Sequence, residues 1–272
     1  MPTDPLPAFC WKLSLNGQEV GFLATVDFPT DTSMTFDFSG GVAETLYGWM
    51  FQALQGQRRM LPGTLITLDT SLKAVYCDAW DSGLIRQIVV APLDASQPGP
   101  MHFFLTLQIS NLREVPLPQS GGAAAQPASR IRVPASVRRL QMRRTGFTRV
   151  AAGGSTRKDQ DLRCAAFKVT MTGSQNSYFV KKLGKLTFNA GTLSPLVMTM
   201  AESAAADFRT WKQAGGQRDV TINCLNTALR EFFTLTCGGS TIAQIHPPVP
   251  INPAGFTDVT LNVRRLAMNF VR

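Results

Sequence analysis

The chain has 272 residues, 44% hydrophobic and 17% charged, a composition that excludes a disordered protein and leaves room for one large domain or two modest ones. Its net charge of +9 is unevenly spread: residues 1–115 carry six Lys/Arg against eleven Asp/Glu, residues 130–163 ten against two, and residues 164–272 eleven against five. No stretch approaches the roughly 18 uninterrupted apolar residues of a membrane helix. The start "MPTDPLPAFCWKL" lacks the basic and apolar regions of a secretory signal, which predicts assembly in the cytoplasm without membrane insertion.

In chain order, Phe9, Trp11, Leu13 and Leu15 alternate with polar residues, the period of a half-buried strand. Asn16-Gly17 then offers a tight turn, because both residues tolerate positive φ. A second alternating run puts Val20, Phe22, Ala24, Val26 and Phe28 on one face, and a third puts Met34, Phe36 and Phe38 there. After Gly40-Gly41 the period becomes helical, with Val42, Leu46, Trp49, Met50, Ala53 and Leu54 on a stripe and Gly56 as the stop. Strand signals resume in "TLITLDT", "KAVYCDAW", "GLIRQIVVAPL" and "MHFFLTLQIS".

From residue 164 the same order returns. "FKVTMTG" and "YFVKKLGKLTF" read as extended runs. Thr199 to Glu202 has the spacing of a capping box ahead of a helix carrying Ala204, Phe208 and Trp211, ended by Gly215-Gly216. "DVTINCL", "REFFTLTC", "STIAQIHPP" and "FTDVTLNVRRLAMNF" follow as strands. Six positions match closely 157 residues apart: Leu68/Leu225, Asp69/Asn226, Thr70/Thr227, Ser71/Ala228, Leu72/Leu229 and Lys73/Arg230. The ordered correspondence predicts a mainly β protein: two tandem β-sandwich or barrel domains, 1–115 and 164–272, each flanked by one α-helix. Between them, 116–129 has the composition of a flexible linker, and 130–163 is an Arg-rich connector with Pro134 against a continuous helix.

Catalytic signals are missing. There is no phosphate-binding loop and no GxSxG elbow. The carboxylates Asp27, Asp31, Asp37, Asp69, Asp78, Asp81 and Asp94 fall largely at strand ends and turns, where Asp serves the backbone. Five scattered cysteines without a CxxC pair predict small buried side chains, and His102 and His246 lack nearby ligand partners. The expectation is a protein without catalysis, cofactor or metal.

The paired N-terminal strands, "ETLYGWMFQAL", "TLITLDTSLKAVYCDAW", "VVAPLDAS" and "HFFLTLQIS" make the first copy resemble the phage tail-tube family. "DFRTWKQ", "DVTINCLNTAL" and "DVTLNVRRLAM" carry a weaker likeness in the second. That resemblance implies a β-sandwich or barrel with one helix, built into stacked six-fold rings that conduct DNA or effector proteins, in phage tails or contractile injection systems. With two copies per chain it implies a homotrimeric, pseudo-six-fold ring of an inner tube or baseplate hub. The partners implied are adjacent tube, hub, spike or baseplate proteins, and the site is a virion tail or injection particle.

Two further expectations concern charge. In a trimer of alternating copies, every copy-to-copy contact joins a −5 module to a +6 module, which favours alternation. The connector is predicted to be an assembly arm, with Arg130, Arg132, Arg138, Arg139, Arg143 and Arg144 pairing to carboxylates and Val133, Val137 and Leu140 as apolar anchors. The alternative is a nucleic-acid-binding protein using 130–163, against which the connector offers only Phe147 for stacking on bases.

Overall fold

The computed structural model describes residues 10–23, 25–39, 43–117, 163–247 and 255–271. They form a mostly β structure with two sheet regions, each accompanied by a short helix, as the periodicity predicts. In the first copy the elements are β1 (Cys10–Leu15), β2 (Gln18–Leu23), β3 (Thr25–Thr30), β4 (Ser33–Ser39), α1 (Glu44–Leu54), β5 (Leu61–Leu68) and β6 (Ala74–Val90). Short strands β7 (Leu93–Asp94) and β8 (Gly99–Pro100) precede β9 (His102–Ser110) and β10 (Arg113–Glu114). The second copy runs through β11 (Arg163–Cys164), β12 (Ala166–Met171), β13 (Ser177–Leu183), β14 (Leu186–Asn189), β15 (Thr192–Leu193) and β16 (Leu196–Ala201). A 3-10 turn (Glu202–Ala205) then leads into α2 (Ala206–Ala214), followed by β17 (Arg218–Leu225), β18 (Glu231–His246), β19 (Phe256–Asn262) and β20 (Arg265–Phe270).

The two strand orders coincide. The first sheet runs β2-β1-β5-β6-β9-β4-β3, with β10 added to β6. The second runs β13-β12-β17-β18-β19-β16, with β20 added to β18, and β13 also pairs with β16 to close a barrel. In the second copy that closure falls to one strand: β13 pairs with β12 over Ser177–Val180 and with β16 from Val180 onward. In the first it is divided, β2 pairing with β1 and β3 with β4.

Burial follows the alternation of the sequence. Trp11, Leu13, Leu15, Met34, Phe36, Phe38, Phe103, Leu105, Leu107 and Ile109 are all at most 2% exposed, and so are Phe167 and Val169 of the second copy. Each such side chain contributes about 2–3 kcal/mol of transfer free energy, which is why the alternating faces set the architecture. Phe22, expected inward, is 43% exposed. A bulge opposite Leu13 and Ser14 places one extra residue in β2, where Gly21 has φ 137°, so Val20 and Leu23 point in and Phe22 points out.

Other boundaries also differ from expectation. "KAVYCDAW" and "GLIRQIVV" are one strand, β6, and "REFFTLTC" and "STIAQIH" are one strand, β18. The glycines between them do not end the strands because the backbone changes partner there: β18 leaves β20 at Gly238 and takes β19 from Thr241. "YFVKKLGKLTF", by contrast, breaks at Gly184, whose amide donates to the Val197 carbonyl at 2.7 Å. The expected capping box is absent. Thr199 lies in β16 and donates its hydroxyl to Asp258 Oδ1 at 2.6 Å, while Glu202 accepts from Arg209 and Thr257. The helical stops hold: Gly56 and Gly215, at φ 79° and 71°, donate to the Ala53 and Trp211 carbonyls.

The compact units are not contiguous in the chain. Among described residues, the first holds those up to Tyr47, Arg59–Arg86 and those from Leu105 to 117. The second holds Gly48–Arg58, Gln87–Phe104 and the residues from 163 onward. Thus 48–58 and 87–104, although within the predicted 1–115 stretch, pack with the second copy. In that second unit Phe103 meets Phe233 edge-on at 5.5 Å, and Phe233 meets Phe270 at 4.6 Å.

Candidate assembly surface

The repeated fragment that stands out in the sequence is a repeated turn. Asp69 Oδ1 accepts from the amides of Ser71 and Lys73 at 2.8 and 2.9 Å, and the Asp69 amide donates to the Lys73 carbonyl. Asn226 Oδ1 accepts from Ala228 and Arg230 at 3.0 Å each, and its amide donates to the Arg230 carbonyl. Only the shared acceptor oxygen is used, which explains why Asp and Asn interchange. Both turns put a leucine in the left-handed region, Leu72 at φ 59° and Leu229 at φ 55°, with 45% and 65% of each exposed. The two β-hairpin tips therefore present equivalent apolar points to solvent.

Beyond those hairpins, the far end of β6 has partners on both edges. The β9 strand lies on one edge, and β14 adds to the other through Leu186↔Val90, Thr187↔Val89, Phe188↔Ile88 and Asn189↔Gln87. Nearby, β7 pairs with β13 and β8 with β11. All these contacts lie inside the second unit. Asp94 anchors the β7 pairing: its carboxylate lies 2.8 Å from Lys182 Nζ and accepts from the Ser96 amide and hydroxyl. Those hydrogen bonds, Lys182 first, hold the carboxyl well below its ordinary range.

The repeat offset places Gln244, Ile245, His246 and Pro247 where the first copy has Gln87, Ile88, Val89 and Val90. Two of these residues are identical, and "IRQI" and "IAQI" align around them. Their surroundings differ. Ile88, Val89 and Val90 are 1%, 7% and 4% exposed, whereas Ile245 is half-buried and His246 and Pro247 are exposed. On β18, Gln244–His246 pair with β19 on one edge, and among the described residues no strand pairs with the other.

The predicted arm residues Arg130, Arg132, Arg138, Arg139, Arg143 and Arg144 lie outside the described residues, as do Val133, Val137 and Leu140. Of the histidines, His102 opens β9, and His246 places Nε2 2.9 Å from Gln244 Oε1. Among the described residues no group of three or more His, Cys, Asp or Glu converges on a metal-sized site. Cys77, Cys164, Cys224 and Cys237 are buried thiols, Cys237 pushed up to about 12 by burial, while Cys10 is half-buried. A cleft in the first unit, lined by Trp80, Gly63, Asp81 and Arg113, is bounded by the Asp81–Arg113 ion pair at 2.5 Å. No helix among the described residues is long and apolar enough to cross a membrane. Sequence inspection missed the β6/β18 edge; the signal that finds it is the IRQI/IAQI match once the 157-residue offset is extended.

No protein-family model matches the chain, and no curated protein matches it at a significant level. Among solved structures it is weakly similar to a chain of the anti-feeding prophage baseplate, seen by six-fold symmetrised cryo-electron microscopy. That match has 9% identity and a TM-score of 0.33, and covers 42% of this chain and 97% of that one. It is also weakly similar to the PlzA protein of Borreliella burgdorferi in complex with c-di-GMP, at 9% identity and a TM-score of 0.27, covering 96% of this chain and 83% of that one. Neither likeness defines a family.

Proposed function

We propose that this chain is a structural subunit of a phage-type tail, forming a homotrimeric, pseudo-six-fold ring of an inner tube or baseplate hub that conducts DNA or an effector protein. The observation that carries this is the repetition of one strand order and one hairpin turn in two copies of a single chain. Three such chains supply six equivalent modules around a ring. The segments that carry the tail-tube resemblance, "ETLYGWMFQAL" and "TLITLDTSLKAVYCDAW", are α1 and the β5–β6 hairpin of the first sequence copy. The opposite net charges of the two stretches favour alternating neighbours over like ones. Ring faces would meet neighbouring tube, hub, spike or baseplate proteins, and assembly would take place in the bacterial cytoplasm. Native mass spectrometry with electron microscopy tests the assignment: three chains per ring are expected. Six chains per ring, or a monomer at all concentrations, would overturn it.

A further inference from the structure

We infer that the far end of β18 is the docking edge for a second copy of this chain, whose β3 adds to it as a new strand. The inference starts from the self-assembly proposed above and assigns the surface that performs it. Within the second unit, four residues of β6, Gln87–Val90, already receive a strand, β14, on the edge that β9 leaves free. The β18 residues at the same offset, Gln244–His246, carry a half-buried Ile245 and have no strand on that edge among the described residues. An unpaired strand edge presents a row of N–H and C=O groups suited to another chain.

The occupant follows from the same correspondence. The strand that covers β6 is β14, which leads through a two-residue turn into β15 ahead of β16. In the first copy the segment in that place is the end of β3, which turns through Asp31-Thr32 into β4. As the last strand of its sheet, β3 has β4 on one edge and no strand on the other among the described residues. It also contains Pro29, which offers no N–H but keeps its carbonyl, a device that discourages indiscriminate edge pairing. A docking edge on the second copy and a receiving edge on the first are different surfaces. The contact is therefore head-to-tail, and it closes into a ring when the rotation allows.

The test uses the full chain and one blocked edge at a time. Ile245→Lys places a charge on the face that its counterpart Ile88 buries, and Phe28→Lys does the same on half-buried Phe28 of β3. Circular dichroism establishes that each variant is folded, and native mass spectrometry reads its assembly. Each variant alone is expected to lose ring-sized species and run as a monomer. Mixed one to one, they retain one intact pair of edges between them, so a heterodimer with one chain of each is expected. In wild-type rings, those amides of 244–246 and 25–28 that do not already bond to β19 or β4 should exchange at least tenfold more slowly than in dissociated chains. Normal rings from both single variants, or a mixture that stays monomeric, overturns the edge assignment while leaving the ring intact as a proposal. A wild-type chain that never oligomerises overturns both. If a variant is unfolded, exchange protection in the wild-type protein decides alone, and unprotected amides in a formed ring overturn the assignment.

Discussion

The two copies solve one packing problem with opposite residues. In the first, Gly63 on β5 faces Trp80 on β6; in the second, Val220 on β17 faces Cys237 on β18, at the same ladder position. Trp80 lies over the glycine so closely that a Cβ at Gly63 would stand 2.2 Å from its ring, and its indole N–H donates to the Leu61 carbonyl at 3.3 Å. Val220 and Cys237 are fully buried without such an overlay. One very large side chain over a glycine, or two small side chains, occupies the same ladder position. What is preserved between the copies is burial at that position, while the volume divided between the two residues differs.

That comparison breaks most sharply by transplanting one partner at a time. Gly63→Val should cost about 3 kcal/mol or more, because the ring of Trp80 must leave its place. Trp80→Cys should cost about 3–5 kcal/mol through the cavity it opens. The double variant, which copies the second module's pair into the first, should cost clearly less than the sum, as equilibrium denaturation can measure. Strict additivity would mean the two positions do not share one space.

The turns allow a finer comparison. Asp69→Ala and Asn226→Ala each remove an oxygen that accepts two amide hydrogen bonds, and each should cost about 1–2 kcal/mol. Exchanging the residues, Asp69→Asn or Asn226→Asp, should change the unfolding free energy by less than about 0.5 kcal/mol, since the acceptor stays. Relieving the left-handed leucines sharpens it again: Leu72→Gly and Leu229→Gly should each stabilise the isolated chain by up to about 1 kcal/mol. A loss of assembly without a loss of stability in those variants would show that the exposed tips are held for contact.

The smallest expected effect is electrostatic. Asp94 titrates below its ordinary value, so its contribution to the β7–β13 pairing is fully present above the ordinary carboxylate pKa of about 4. It is lost as pH falls further, through the depressed value of the folded state. Exchange at the Ala95 amide, which donates to the Lys181 carbonyl at 2.8 Å, should quicken in strong acid. In Asp94→Asn that acid dependence should flatten. A wild-type profile without any acid step would remove Asp94 as the anchor.

The sequence by itself determined the β class, the helix stops, the hairpin turn and the fact of duplication. Each of these is local: alternation over six residues, a glycine at positive φ, an acceptor oxygen two and four residues before its donors. Tertiary structure decided what depends on distant partners. Whether Gly83 or Gly238 ends a strand depends on which neighbour takes over the ladder, and β6 and β18 run on because one does. Phe22 faces out because of a bulge against β1, and Glu202 serves Arg209 and Thr257 because those residues fold within its reach. The same holds for the candidate docking edge. "IRQI" and "IAQI" are nearly one word in the sequence, but β14 pairs with β6 from Gln87 to Val90, whereas among the described residues no strand pairs with that edge of β18 at Gln244–His246. Backbone hydrogen bonding is satisfied pairwise, so the state of an edge is a property of its partner and cannot be written in the strand alone.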